Sequence, residues 1–339
     1  MFRKMMESRR SWIGYMIVVV ALHLVGVAGL ISVAGSNPTF WSLGLLAYTL
    51  GLRHAFDADH IAAIDNTVRK LIEQKKNAFG VGFYFSLGHS SVVFIMVLAI
   101  ALSIQWLQEK MPQMEEIGGV IGTAVSGSFL ILIGIFNLIV LVQLFKVFRK
   151  VRVGEETADN LEKLLNSRGL IARLINPLSR FIGKSWHVYP LGFLFGLGFD
   201  TATEIGLLAI SATAAHSSIS VFGILSLPIL FAAGMSLMDT ADGMFMTTAY
   251  KWAFTTPLRK LYYNVSVTSV SVVAAFLIGA VELIQVLSER LNWKSGFVTW
   301  VNQLNFNYLG YMLVVLFLAA WIISVSVWKG MKLDKQAHL

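Results

Sequence analysis

The sequence predicts an all-α polytopic membrane protein of eight transmembrane helices, a single domain over residues 1–339. Three observations predict it. The chain is 56% hydrophobic and only 14% charged, with a mean hydropathy of +0.69, a balance outside the range of soluble domains. Eight stretches stay apolar over about 20 residues or more, enough to cross a hydrocarbon core of about 30 Å. The cations are also one-sided: 23 of the 27 Lys and Arg fall in the two tails and in alternate connections.

In chain order the spans are predicted at 12–34, 41–66, 79–106, 118–145, 188–213, 219–249, 264–287 and 308–328. The first is too long for a signal-peptide core and has no small-residue cleavage pattern after it, so it is expected to stay in the mature chain. Excess Lys and Arg in the N-terminal tail, 67–77, 146–186, 250–263 and the C-terminal tail place both termini in the cytoplasm. Only Lys110, Arg290 and Lys294 fall on the far side, where 35–40 and Gln108–Glu116 are expected as turns. The pI near 9.6 therefore reflects topology, and no nucleic-acid partner is expected. The connection 149–186 is the one sizeable soluble segment. Its Glu155, Glu156, Leu161, Leu164 and Leu165 suggest a short amphipathic helix along the membrane surface, too short for a catalytic domain. The absence of Cys excludes disulfides and thiolate metal sites.

Polar side chains gather in four spans. Residues 53–60 read Arg-His-Ala-Phe-Asp-Ala-Asp-His inside the second. Each ionisable group there costs about 2.5–3.5 kcal/mol on insertion scales, so the segment reads as functional. His54, Asp57 and His60 follow one another at i,i+3 and share a helix face. Asp59 points elsewhere on an ideal helix. It can pair with Arg53, face another span, or join the site if the helix unwinds locally. The third span carries Gly88-His89-Ser90, a small residue beside a His that permits close helix approach. The fifth sets Asp200 and Glu204 at i,i+4 and the sixth sets Asp239 and Asp242 at i,i+3. Glycines flank these clusters, as expected where transporter helices break or cross.

Two His and two Asp in the second span are an N/O ligand set suited to a divalent transition metal. One intramembrane Asp or His can be a satisfied structural group; four clusters together argue for a site. Thr201, Thr203, Ser90 and Thr240 bond back to their own helix as readily as they serve a site. His23 reads as structural, His187, His216 and His338 as peripheral, and Asn137 and Glu282 as isolated. Trp12, Trp41, Trp106 and Trp293 suit the interface belt.

A short repeat accompanies the motifs. Phe56-Asp57-Ala58 resembles Phe199-Asp200-Thr201, and Phe85-x-x-Gly88 resembles Phe231-x-x-Gly234, with the paired Phe 29 and 32 residues apart. The second and fifth spans cross in opposite directions, so the repeat is inverted, a pattern of secondary transporters with a midplane site.

At these motifs the sequence resembles the nickel/cobalt transporter family. The family's His-x4-Asp-His signature is matched by His54, Asp59 and His60, and its Gly-His-Ser/Thr motif by Gly88-His89-Ser90. Leu197–Glu204 and Gly234–Asp242 match its fifth- and sixth-span motifs, and Val68 is a minor departure from it. The resemblance implies uptake of Ni²⁺ and/or Co²⁺ across a bacterial cytoplasmic membrane, the metal being cargo and not a cofactor. His54, Asp57, His60 and His89 are expected to hold the ion. Asp59 is expected to offset Arg53, and Asp200, Glu204, Asp239 and Asp242 to guide, coordinate or stabilise the cation. No Walker loop is present, so no ATPase subunit is expected. An exporter of the same metals is the alternative reading. A membrane-embedded metalloenzyme is weaker, since the helical His-Glu-x-x-His motif is absent.

Overall fold

The computed structural model describes residues 2–35, 37–102, 105–152, 182–198, 202–215, 219–253, 257–293, 295–304 and 309–330. Among them every regular element is helical. The eleven α-helices are α1 (Phe2–Ala34), α2 (Phe40–His54), α3 (Ala58–Glu73), α4 (Val81–Ala101), α5 (Gln105–Arg152), α6 (Tyr189–Gly196), α7 (Ala202–Ala215), α8 (Val221–Ala253), α9 (Pro257–Arg290), α10 (Gly296–Asn302) and α11 (Leu309–Gly330). A 3₁₀ turn, Ser185–Val188, leads into α6.

Among the described residues, five helices are long and apolar enough to cross a membrane: Trp12–Ala34, Val81–Ala101, Glu116–Gln143, Val221–Trp252 and Val265–Arg290. Thr203–Ala215 and Leu309–Ile323 are shorter apolar helices. The second predicted span is not continuous, which departs from the reading of 41–66 as one helix. It divides at Ala55–Asp57 into α2 and α3. The amides of Phe56 and Asp57 bond to the carbonyls of Arg53 and His54, three residues back, so α2 tightens into its last turn. Asp57 then extends (φ −66°, ψ 141°) and opens α3. The local signal is Asp57 itself, a residue type that favours the start of a helix. The fifth predicted span likewise falls into α6 and α7.

Two further expectations are corrected. Residues 108–116, expected as a turn, are helical and belong to α5. They are rich in Gln, Glu, Lys and Met, good helix formers. Part of the expected connection 67–77 is the end of α3, whose Arg69 and Lys70 are buried. Of the 16 residues of α3, 14 are buried, so this helix is surrounded. It packs against α4, α5, α8, α9 and α11. The amphipathic helix expected near 155–165 lies outside the described residues.

Apolar burial does not drive helices together inside lipid, so close association depends on small residues at the crossings. Here glycines mark them. A Cβ on Gly51 of α2 would strike the backbone of Phe231 in α8, and one on Gly234 would meet that of Tyr48. A Cβ on Gly192 of α6 would strike the backbone of Phe85 in α4, and one on Gly88 that of Tyr189. Gly82 of α4 abuts the Asp239 carbonyl, and Gly310 of α11 the Phe56 carbonyl. The last contact, with Tyr311 stacked on Phe56 at 4.7 Å, holds the broken segment from the side. Ala55 belongs to one apolar cluster and Ala58 to another, so the break lies where the two cores meet.

Candidate metal centre

Each functional side chain stands at a helix end or a glycine crossing. His54 is the last residue of α2 and His60 the third of α3, so the break turns both rings toward one point. His89 comes from α4, one residue after Gly88, where α4 lies against α6. The three imidazoles are buried, each at most 2% exposed. Their ring centroids are 4.5–4.8 Å apart, and one nitrogen of each lies within 4.8 Å of the others.

The surrounding contacts orient these nitrogens. His54 Nδ1 lies 3.0 Å from Thr203 Oγ1 and 2.9 Å from Asp57 Oδ2. With the Nδ1 proton held on that side, Nε2 presents a lone pair. That Nε2 is 2.8 Å from His89 Nε2, which is also 2.8 Å from Glu204 Oε1. Two imidazole nitrogens this close share a proton when no cation lies between them. His60 Nδ1 stands 3.6 Å from Asp239 Oδ2, beyond hydrogen-bond length. Phe85 and Phe231 wall the site, with ring centroids 4.8 Å from His60 and 5.5 Å from His54.

Among the described residues, several buried polar atoms here have no hydrogen-bond partner: His60 Nδ1, His89 Nδ1, both Asp239 oxygens and Thr240 Oγ1. Orphaned groups in a low-dielectric interior are costly. A cluster of them around three imidazoles offers donors that could hold a cation. The N-terminal turn of α3 carries Asp59 and that of α7 carries Glu204. These carboxylates offset the positive ends of the two helices.

The family model described as "High-affinity nickel-transport protein" matches residues 40–327. The chain belongs to this family. It is 53% identical over 323 residues to the nickel transporter NixA of Staphylococcus aureus, covering 95% of this chain and 96% of that protein. It is 54% identical over 326 residues to the high-affinity nickel-transport protein NixA of Helicobacter pylori, covering 94% and 97%. It is 39% identical over 320 residues to the cobalt transport protein NhlF of Rhodococcus rhodochrous, covering 93% and 91%. No solved structure matches the chain. The family resemblance expected from the four motifs is borne out.

Within this family member the fold brings together most of the residues singled out from the sequence. His54, His60, His89 and Glu204 converge, with Asp57 on His54 and Asp239 near His60. Asp59 lies in the first turn of α3, within electrostatic reach of His54 and Asp239. Asp242 is one turn further along α8, within electrostatic reach of Asp65. Asp200 lies outside the described residues, as do His216 and His338. His23 is structural as expected, bound to the Val19 carbonyl and the Tyr48 hydroxyl.

Asn137 is not isolated: its side-chain amide donates to Asn66 Oδ1. Asp65 was not singled out from the sequence. It accepts hydrogen bonds from Tyr250 at 2.6 Å and Ser271 at 2.5 Å, tying α3 to α8 and α9. The run Asp65-Asn66-Thr67 carried the signal, but a span ending at 66 hid it.

Proposed function

We propose that this protein imports Ni²⁺ and Co²⁺ across the bacterial cytoplasmic membrane as a secondary transporter, with His54, His60 and His89 as its central ion station. The observation that carries this is the convergence of three buried imidazoles at a broken helix. Imidazole nitrogen suits late first-row metals, whereas Mg²⁺ and Ca²⁺ prefer all-oxygen shells. Relatives named for nickel and for cobalt transport support the same cargo. Asp57 and Thr203 orient His54, and Glu204 orients His89. Asp59, Asp200, Asp239 and Asp242 supply negative charge along the route. Binding displaces the proton shared by His54 and His89, so affinity rises with pH.

The eight-span layout with both termini cytoplasmic, and an inverted repeat relating α2–α4 to α6–α8, complete this reading. At 1.5 Å per residue α2 runs about 22 Å and α6 about 12 Å before their breaks. Entering from opposite faces, they meet inside a core of about 30 Å. Inward movement of a dication at about 100 mV is favoured by roughly 4.6 kcal/mol, twice the single-charge figure, so no ATP is required.

Radioactive nickel uptake into proteoliposomes tests this directly. Uptake should rise with an inside-negative potential and be suppressed by excess Co²⁺ but not by Mg²⁺. Block by Mg²⁺ as strong as that by Co²⁺ would sink the nitrogen-based site. Absence of Cys makes single-Cys accessibility a direct test of the topology; labelling of the two tails from opposite faces would overturn it.

A further inference from the structure

A cavity of about 510 Å³ opens between α3, α5, the Ser185–Val188 turn and α6, away from the imidazoles. Its volume falls in the range of about 300–1,000 Å³ usual for ligand sites. Phe129, Leu132, Ile133 and Phe136 line one wall. They are spaced i, i+3, i+4, i+7, a continuous apolar stripe of α5. Leu191 and Leu194 of α6 line the opposite wall. Leu132 is 50% and Leu194 37% exposed, so in a membrane both face acyl chains and the cavity is continuous with the lipid surface.

One feature of this apolar space is out of place. Lys70, only 5% exposed, lines it, and no hydrogen bond or ion pair engages its ammonium among the described residues. An ammonium that opens onto such an apolar space draws a counter-ion. Trp186, 53% exposed, sits at the same rim, as aromatic side chains do at headgroup level.

We propose that this cavity binds an anionic phospholipid, its acyl chains along the α5 stripe and its phosphate on Lys70. The orientation is the one proposed above, which sets the rim at the Lys- and Arg-rich face, where anionic lipid is attracted. The lipid bridges α3, which carries His60, to α6, which leads toward Glu204. A zwitterionic lipid fits the walls but leaves the ammonium without net counter-charge, and a free phosphate leaves the apolar walls uncovered.

The test uses the full chain, delipidated in a non-ionic detergent. Native mass spectrometry and thermal unfolding would follow addition of dioleoyl phosphatidylglycerol, dioleoyl phosphatidylcholine or glycerol phosphate. Phosphatidylglycerol should be retained and raise Tm, and the other two should not. Lys70→Gln should weaken retention about fivefold or more, from about 1 kcal/mol per cation, and Lys70→Arg should restore it. Leu132→Trp fills the cavity while keeping Lys70, and should abolish retention yet leave nickel binding intact. Equal retention of phosphatidylcholine, stabilisation by glycerol phosphate alone, wild-type-like retention by Leu132→Trp, or no retention by the wild type each overturns the proposal. Failure of nickel binding in the wild type overturns the transport reading and leaves the lipid result to be judged separately.

Discussion

At the crossing of α2 with α8, Gly51 lies on the backbone of Phe231 and Gly234 on that of Tyr48. At the crossing of α4 with α6, Gly192 lies on Phe85 and Gly88 on Tyr189. The residues correspond: Tyr48-x-x-Gly51 with Tyr189-x-x-Gly192, and Phe85-x-x-Gly88 with Phe231-x-x-Gly234. Each crossing therefore joins the first helix of one three-helix segment to the last helix of the other. The chemistry does not follow the same rule. All three imidazoles come from α2–α4, while α7 and α8 bring Thr203, Glu204 and Asp239. Backbone approach needs only a missing Cβ, which both segments supply. A cation needs nitrogen donors and compensating charge, and these are divided between the segments.

The largest effect should separate the two positions that follow the crossing glycines. His89→Leu should reduce nickel uptake to background with near-normal membrane abundance. Met235→Leu, at the matching place in α8, is nearly isosteric and should transport as the wild type does. Equal loss in both variants would mean that the crossing, and not the nitrogen donor, matters.

Glu204→Gln keeps the shape of the side chain and removes its charge from His89. Loss of such an orienting partner typically costs about 10–100-fold in metal affinity. Isothermal titration with Ni²⁺ should show that drop, and an unchanged affinity would remove Glu204 from the centre. The same titration should show affinity falling as pH drops, because a protonated nitrogen has no lone pair to give. The slope approaches about tenfold per pH unit for each proton displaced. A flat profile between mildly acidic and neutral pH would contradict the shared proton.

Gly51→Ala and Gly192→Ala should destabilise to a similar extent, about 1–3 kcal/mol each from overpacking. Thermal unfolding in detergent measures both, and a large cost in only one would break the equivalence of the crossings. The smallest effect is expected at the surface. Arg290 and Glu116 approach to 3.7 Å with both side chains about half exposed or more, so Arg290→Ala should change stability by less than about 1 kcal/mol.

Hydropathy made the apolar spans visible, and α1, α4, α8 and α9 lie close to their predicted positions. The break at 55–57 was only half legible: Asp57 favours the start of a helix, but Ala-Phe-Asp contains neither Gly nor Pro to end the one before it. The predicted i,i+3 face thus named His54, Asp57 and His60 for a geometry they do not adopt. They meet because the chain turns between them, with Gly310 and Tyr311 of α11 holding Phe56. Asp65 escaped notice for a related reason: α3 is buried nearly all round, so its polar residues show no solvent-facing stripe.

Composition and short motifs are enough for the membrane class, the family and the residue types of the centre, since these need no neighbour. Which of those residues meet is a matter of packing between distant helices. His54 is 35 residues from His89 and His89 is 115 from Glu204, and no local periodicity encodes contacts of that range. They are set by where glycine lets one backbone lie against another and by where a helix ends.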